Sequence, residues 1–123
     1  MNTPEEHRYT RDHEWVKEED GLYVIGITDY AQDALGDIVF VNLPEIDDEF
    51  DGGDAVCDVE SVKAVSDVLT PVTGKVVEIN EDLLDAPEMV NEDPYGAWFV
   101  KMEGEITVDL LDAAAYEAHC EDN

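Results

Sequence analysis

The 123-residue sequence predicts a mainly β protein, a flattened barrel or sandwich with short peripheral helices. Three observations predict it. Short stretches of alternating or β-branched residues recur along the chain. Turn residues separate them at close spacing. A hydrophobic fraction of 44% supplies a core, while no apolar run approaches the roughly 20 residues that span a bilayer. One domain over residues 1–123 is the expected organisation.

Glu14–Val16 and Tyr23–Ile27 read as strands joined through the polar turn Lys17–Gly21. Thr28 or Asp29 caps a short helix over Tyr30–Leu35, which Gly36 ends. Ile38–Leu43 is a strand closed by Pro44, and Asp47–Asp54 is an acidic turn. Ala55–Val59 and Ala64–Leu69 alternate with period two around the loop Glu60–Lys63. Pro71–Gly74 reads as a turn and Lys75–Ile79 as a strand. A helical turn within Leu83–Asn91 and a strand over Ala97–Met102 follow. Asp112 caps a helix, Ala113–Cys120, that packs Tyr116 against the barrel.

The charge balance narrows the function. Thirty-three Asp and Glu face six Lys and Arg, a formal net charge of -27. Such a surface repels phosphate backbones and anionic lipid, so neither nucleic acid nor membrane is an expected partner. The acids are spread over the whole chain rather than pooled in a tail, a pattern that suits a saline cytoplasm and points to a halophilic source. The N-terminal MNTPEEHRYT lacks the basic flank and apolar stretch of a signal peptide, and a cytoplasmic location is expected.

Cysteines and histidines offer no metal spacing. Cys57 lies in an alternating run and reads as a small core residue; Cys120, close to the C-terminus, reads as a bystander thiol. His7, His13 and His119 are too dispersed for a zinc site. Asp47, Glu49, Asp51 and Gly52 imitate half a calcium loop, but Asp58 stands where its closing Glu belongs and no helices flank it.

The four lysines are Lys17, Lys63, Lys75 and Lys101. Gly52 precedes Lys63 by the same interval at which Gly74 follows it, so two strands and a tight turn place Lys63 at the tip of a hairpin. On spacing alone, a solvated turn lysine is the simpler reading.

The segment Glu60-Ser61-Val62-Lys63-Ala64 resembles the lipoylation segment of glycine cleavage H proteins. Tyr9-Thr10, His13-Glu14-Trp15-Val16, Gly26-Ile27-Thr28-Asp29-Tyr30-Ala31-Gln32 and Leu35-Gly36-Asp37 are similar to that family's opening blocks. Val39-Phe40-Val41, Leu43-Pro44-Glu45, Ser66-Asp67-Val68, Pro71-Val72, Gly74, Asn80, Pro87, Asn91, Pro94-Tyr95-Gly96 and Trp98 continue the register. The likeness covers roughly residues 9–118. It departs at Asp47-Asp48-Glu49, where the family usually turns on glycine, and at Ala97, a frequent glycine.

The resemblance implies a fold of the lipoyl/biotinyl-carrier type and a lipoyl group in amide linkage to Lys63. It implies a non-catalytic carrier that takes an aminomethyl group from a glycine decarboxylase (P protein) to a tetrahydrofolate-dependent aminomethyltransferase (T protein). A dihydrolipoamide dehydrogenase (L protein) then reoxidises the dithiol, and a lipoate ligase or lipoyltransferase supplies the arm. Glu14 and Asp67 match positions lining the cleft that shelters the loaded arm, with Asp12 beside Glu14. In that reading Glu14 serves the arm rather than the fold. Glu60 matches the acid that lipoate-attaching enzymes read. The alternative is a lipoyl relay protein, or a lipoyl domain serving 2-oxo-acid dehydrogenase complexes. Biotin carriers normally flank their lysine with methionine, whereas Val62 and Ala64 stand here.

Overall fold

The computed structural model describes residues 2–121. Strands β1 (Arg8–Tyr9), β2 (Glu14–Glu19) and β3 (Leu22–Ile27) lead into helix α1 (Asp29–Leu35). Strands β4 (Ile38–Asn42), β5 (Glu49–Phe50), β6 (Ala55–Ser61), β7 (Val65–Leu69) and β8 (Val72–Ile79) follow. Helices α2 (Asp82–Asp85) and α3 (Met89–Glu92), strand β9 (Val100–Ile106) and helix α4 (Ala113–Glu121) complete the order. The strands form a six-stranded sheet, β1-β2-β3-β9-β8-β5, and a three-stranded sheet, β4-β6-β7, all of whose pairings are antiparallel. This is the predicted mainly β sandwich. No helix among the described residues is long and apolar enough to cross a membrane.

The core lies between the sheets. Val16, Ile25 and Ile27 from one meet Val41, Val59 and Val68 from the other, each fully or almost fully buried. A second cluster lies under α4, where Tyr116 stacks on Tyr9 at 4.6 Å beside buried Trp15 and Val24. Asp112 caps α4 by accepting the Ala115 amide at 2.8 Å, as expected. Cys57 is buried in the main core, also as expected. Cys120 is not a bystander: one turn beyond Tyr116 on the same face of α4, it is buried in the second cluster.

Several boundaries differ from the sequence reading, each for a local reason. The polar tail Lys17–Glu19 stays in the ladder of β2, and the turn contracts to Asp20-Gly21, both at positive φ (54° and 81°), a pattern that matches strand twist in two-residue hairpins. Pro71–Gly74 is not a turn, because β8 already begins at Val72 and Gly74 pairs with Gly104. A Cβ at Gly74 would run into the Glu103 carbonyl, so this glycine serves backbone approach rather than reversal. The last strand lies later than Ala97–Met102, because the polar stretch Glu103–Ile106 pairs with β8. The acidic turn before Asp54 contains β5, held by Glu49 opposite Lys75. In the region read as one helical turn there are two short helices.

Candidate functional site

Strand β6 runs two residues beyond its predicted end, and the reversal to β7 is compressed into Val62–Ala64. Ser61 makes that turn. Its Oγ accepts the amides of Lys63 at 3.2 Å and Ala64 at 3.1 Å, while its own amide donates to the Ala64 carbonyl at 2.8 Å. A serine bonding to backbone two and three residues on is a standard turn device, legible in Ser61-x-Lys63 yet not read from the sequence. Lys63 therefore sits exposed at a hydrogen-bonded hairpin tip, where the symmetry of the flanking strands placed it.

The hairpin rests on the α1–β4 junction. The Val62 amide donates to the Asp37 carbonyl at 3.1 Å. Gly36 ends α1 at φ 81°, and a Cβ there would come within 3.3 Å of Lys63 Cε, so the lysine stem passes over bare backbone. Asn91 bolts this junction to α3: its Nδ2 donates to the Gly36 carbonyl at 2.9 Å and to Gln32 Oε1 at 3.0 Å, and its Oδ1 accepts the Ile38 amide at 2.8 Å. Neither Gly36 nor Asn91 carries a sequence signal of this role, since their partners lie far away in the chain.

Among the described residues Lys63 differs from the other lysines in its charge partners. Lys17 pairs with Glu19 at 3.2 Å, Lys75 with Glu103 and Asp47 at 3.4 and 3.7 Å, and Lys101 with Glu78 and Glu19 at 3.4 and 3.9 Å. Lys63 has no carboxylate within 4 Å among the described residues. In a chain with 33 acids an exposed lysine without a partner stands apart.

The other expected site residues fall into two places. Phe40, Glu60 and Val65 form a row across the outer face of the three-stranded sheet, next to the lysine turn. The next row is Asn42, Asp58 and Asp67, about 7 Å further along the strands. Glu60 and Asp67 thus share a face with Lys63 at its end. Asp58 stands directly opposite Asp67, and Asn42 Nδ2 donates to Asp58 Oδ1 at 2.7 Å. Opposed like charges on a strand pair repel, so this spot favours a cation. Asp58 was not singled out in the sequence, because strand register decides its partner.

Glu14 lies elsewhere, buried between the sheets at the start of β2. Its Oε1 accepts from Thr10 Oγ1 at 2.6 Å and its Oε2 from the Leu69 amide at 3.4 Å. The latter bond joins the six-stranded sheet to the free edge of β7. Burial, only partly offset by those two bonds, pushes the carboxyl up to about 8, so Glu14 is largely protonated at neutral pH. The expectation that this residue serves the arm rather than the fold therefore meets a group that plainly ties the fold together. Asp12 is exposed in the adjoining loop.

A β sandwich with an exposed lysine, unpaired among the described residues, on a hydrogen-bonded hairpin tip is an arrangement that suits a carrier of a covalently attached arm. A sequence profile described as "Glycine cleavage H-protein" matches residues 7–123. The chain belongs to the glycine cleavage H-protein family. It is 52% identical over 122 residues to the glycine cleavage system H protein of Treponema denticola, covering 98% of this chain and 99% of that one. It is 53% identical to the H protein of Listeria innocua, over 95% of this chain and 97% of that one. The fold matches the crystal structure of a glycine cleavage system H protein from Mycobacterium marinum with a TM-score of 0.91 and 38% identity, covering 96% and 98% of the two chains. This is a non-catalytic lipoyl carrier of the glycine cleavage system, a family that carries lipoyl-lysine and works with the P, T and L proteins. The comparisons give no support to a halophilic source.

Proposed function

We propose that Lys63 bears the lipoyl group. The observation that carries this reading is its position as the lysine without an ion pair among the described residues, on a hairpin tip that Ser61 fixes. When bound, the lipoyl group supplies a cyclic disulfide able to accept and release the aminomethyl fragment. The chain holds the stem over Gly36 and sets the hairpin against the Asp37 carbonyl, and before attachment it keeps the Lys63 amine clear of competing carboxylates. Tethering converts each encounter with a partner's site into a local event.

In this proposal Asp67, with Asp58 opposite, receives the cationic amine of the returning arm, since a cation there relieves their repulsion. Glu14 backs the same edge from inside, and an approaching cation would draw off its proton. Glu60, half-buried between Phe40 and Val65, marks the lysine for the lipoate ligase or lipoyltransferase. The carrier acts as a single domain in the cytoplasm.

Incubation with a lipoate ligase, lipoate and ATP should add one lipoyl mass to the wild type and none to Lys63→Arg. Modification of Lys17, Lys75 or Lys101 in that variant would refute the assignment. Asp67→Asn should accept the arm normally yet lose its aminomethyl load to water a few-fold faster, and decay at the wild-type rate would remove Asp67 from the cleft.

A further inference from the structure

A hollow of about 310 Å³ opens on the six-stranded sheet where β1, β2, β3 and β9 come together, and the carrier chemistry makes no use of it. Strand pairing sets Arg8 beside Val16 and Glu18 beside Tyr23, and the period of two puts Val16 and Glu18 on one face of β2. The floor is apolar: Val16 is buried, Tyr23 is half-buried and Ile106 of β9 is 37% exposed. Arg8, Glu6 and Glu18 stand around it. None of these three has an opposite charge within 4 Å among the described residues. Lys17, also on the wall, is already engaged by Glu19 at 3.2 Å. Four residues of β2, about 13 Å, separate Glu18 from Glu14, so the hollow lies apart from the neighbourhood of Glu14 and Asp67.

We propose that this hollow is a binding site for a free α-amino acid with an apolar side chain. The inference is independent of the assignment of Lys63. Concavity and an apolar floor with a few charged groups on the rim are the marks of a small-molecule site, and this volume admits only a compact ligand. The charges select its class. Arg8 offers a planar fork that a carboxylate can meet with two parallel hydrogen bonds. Glu6 and Glu18 offer acceptors to an ammonium group. A simple anion such as a fatty acid would satisfy Arg8 alone, and would have to approach a chain of net charge -27 against its field. A simple cation would leave Arg8 unmatched. A zwitterion carries no net charge, so the field does not oppose it, and it matches both signs at once. Its side chain then covers Val16, Tyr23 and Ile106. Glycine would make the charged contacts only, which separates this site from one for the substrate of the glycine cleavage system.

The test is a nuclear magnetic resonance titration of the isotope-labelled full chain with L-leucine, at one fixed salt concentration because screening weakens such contacts. Saturable shifts should appear at Val16, Tyr23 and Ile106 and not at Val62 or Lys63. Three further ligands divide the contacts. L-Leucinamide lacks the carboxylate, N-acetyl-L-leucine lacks the ammonium and glycine lacks the side chain; each should bind about tenfold more weakly than leucine. Arg8→Gln and the double variant Glu6→Gln/Glu18→Gln should each weaken leucine by a similar factor. All three residues are exposed, so these variants should keep the spectrum of the folded wild type. Leucine should also raise the thermal midpoint of the wild type and leave that of Arg8→Gln unchanged at the same concentration. Absence of saturable shifts up to the solubility limit of leucine would overturn the proposal. So would wild-type affinity in Arg8→Gln, or equal affinity for leucine and glycine, which would mean that the apolar floor takes no part.

Discussion

Glu14 shows how one side chain can be bound to the fold and still answer to pH. Its carboxyl spans from Thr10 to the Leu69 amide, so it links β2 to the edge of β7 with no solvent around it. The folded protein holds the Glu14 proton up to about 8, whereas an unfolded chain releases it near 4.5. Between these values the native state binds more protons than the unfolded state, so this group's contribution to stability falls as pH rises from about 4.5 to 8. Glu14→Gln removes the titration and keeps the shape. Comparing thermal midpoints at pH 5 and pH 9 at fixed high salt, the variant should lose less than the wild type, by an amount on the order of a few kcal/mol at most. Equal losses in the two proteins would mean that Glu14 is already ionised in the native state. The residue itself was visible in the sequence as part of His13-Glu14-Trp15-Val16; its burial was not, because a single acid among 33 gives no sign of which one lies between two sheets.

The lysine hairpin depends on a neighbouring element to which it is not sequentially adjacent. Asn91 on α3 holds the Gly36 carbonyl and the Ile38 amide, and Asp37, between them, holds Val62. Asn91→Ala would leave a buried amide and a carbonyl unmatched, at a cost of about 1–3 kcal/mol. It should also loosen the platform under Lys63: hydrogen exchange at Val62 and Lys63 should accelerate, and exchange in β8 and β9 should stay as in the wild type once the lowered global stability is allowed for. Uniform acceleration throughout would make Asn91 a general stabiliser and not a support of the hairpin. Elements of this kind divide into those that local chemistry specifies and those that pairing specifies. Helix α1 lay open in the chain, since Thr28 and Gly36 announce its ends. So did the hairpin of β6 and β7, from period-two alternation on either side of Lys63. Strands β1 and β5 are two residues each and exist only through their partners, so no window of sequence could display them. The same reason hid Asp58, the Val39 bulge and the Gly74–Gly104 contact, all consequences of register.

The whole molecule carries its charge as a surface property, with only five ion pairs closer than 4 Å among the described residues. Self-repulsion at -27 therefore acts on the folded state almost undiluted. Raising potassium chloride from low concentration to 1 M shortens the screening length from roughly 30 Å to 3 Å. Thermal midpoints should rise over that range, whatever the source of the protein; a flat or falling series would show that the acids are arranged so as not to oppose one another. Strand order has a consequence of another kind, for the timing of synthesis. In the six-stranded sheet β3 finds its neighbour in β9, with Ile25 beside Val100, so the two halves of that sheet are separated by most of the chain. A ribosome that has delivered Leu69 has made the complete lysine hairpin, yet neither Asn91 nor β9 exists to hold it. The three-stranded sheet β4-β6-β7 is complete at that point, but the six-stranded sheet that covers its inner face is not. By then Lys63 has β4, Gly36 and Asp37 beneath it, but Asn91 and the facing strand β9 arrive only later in synthesis, so the hairpin is formed before its platform is bolted down.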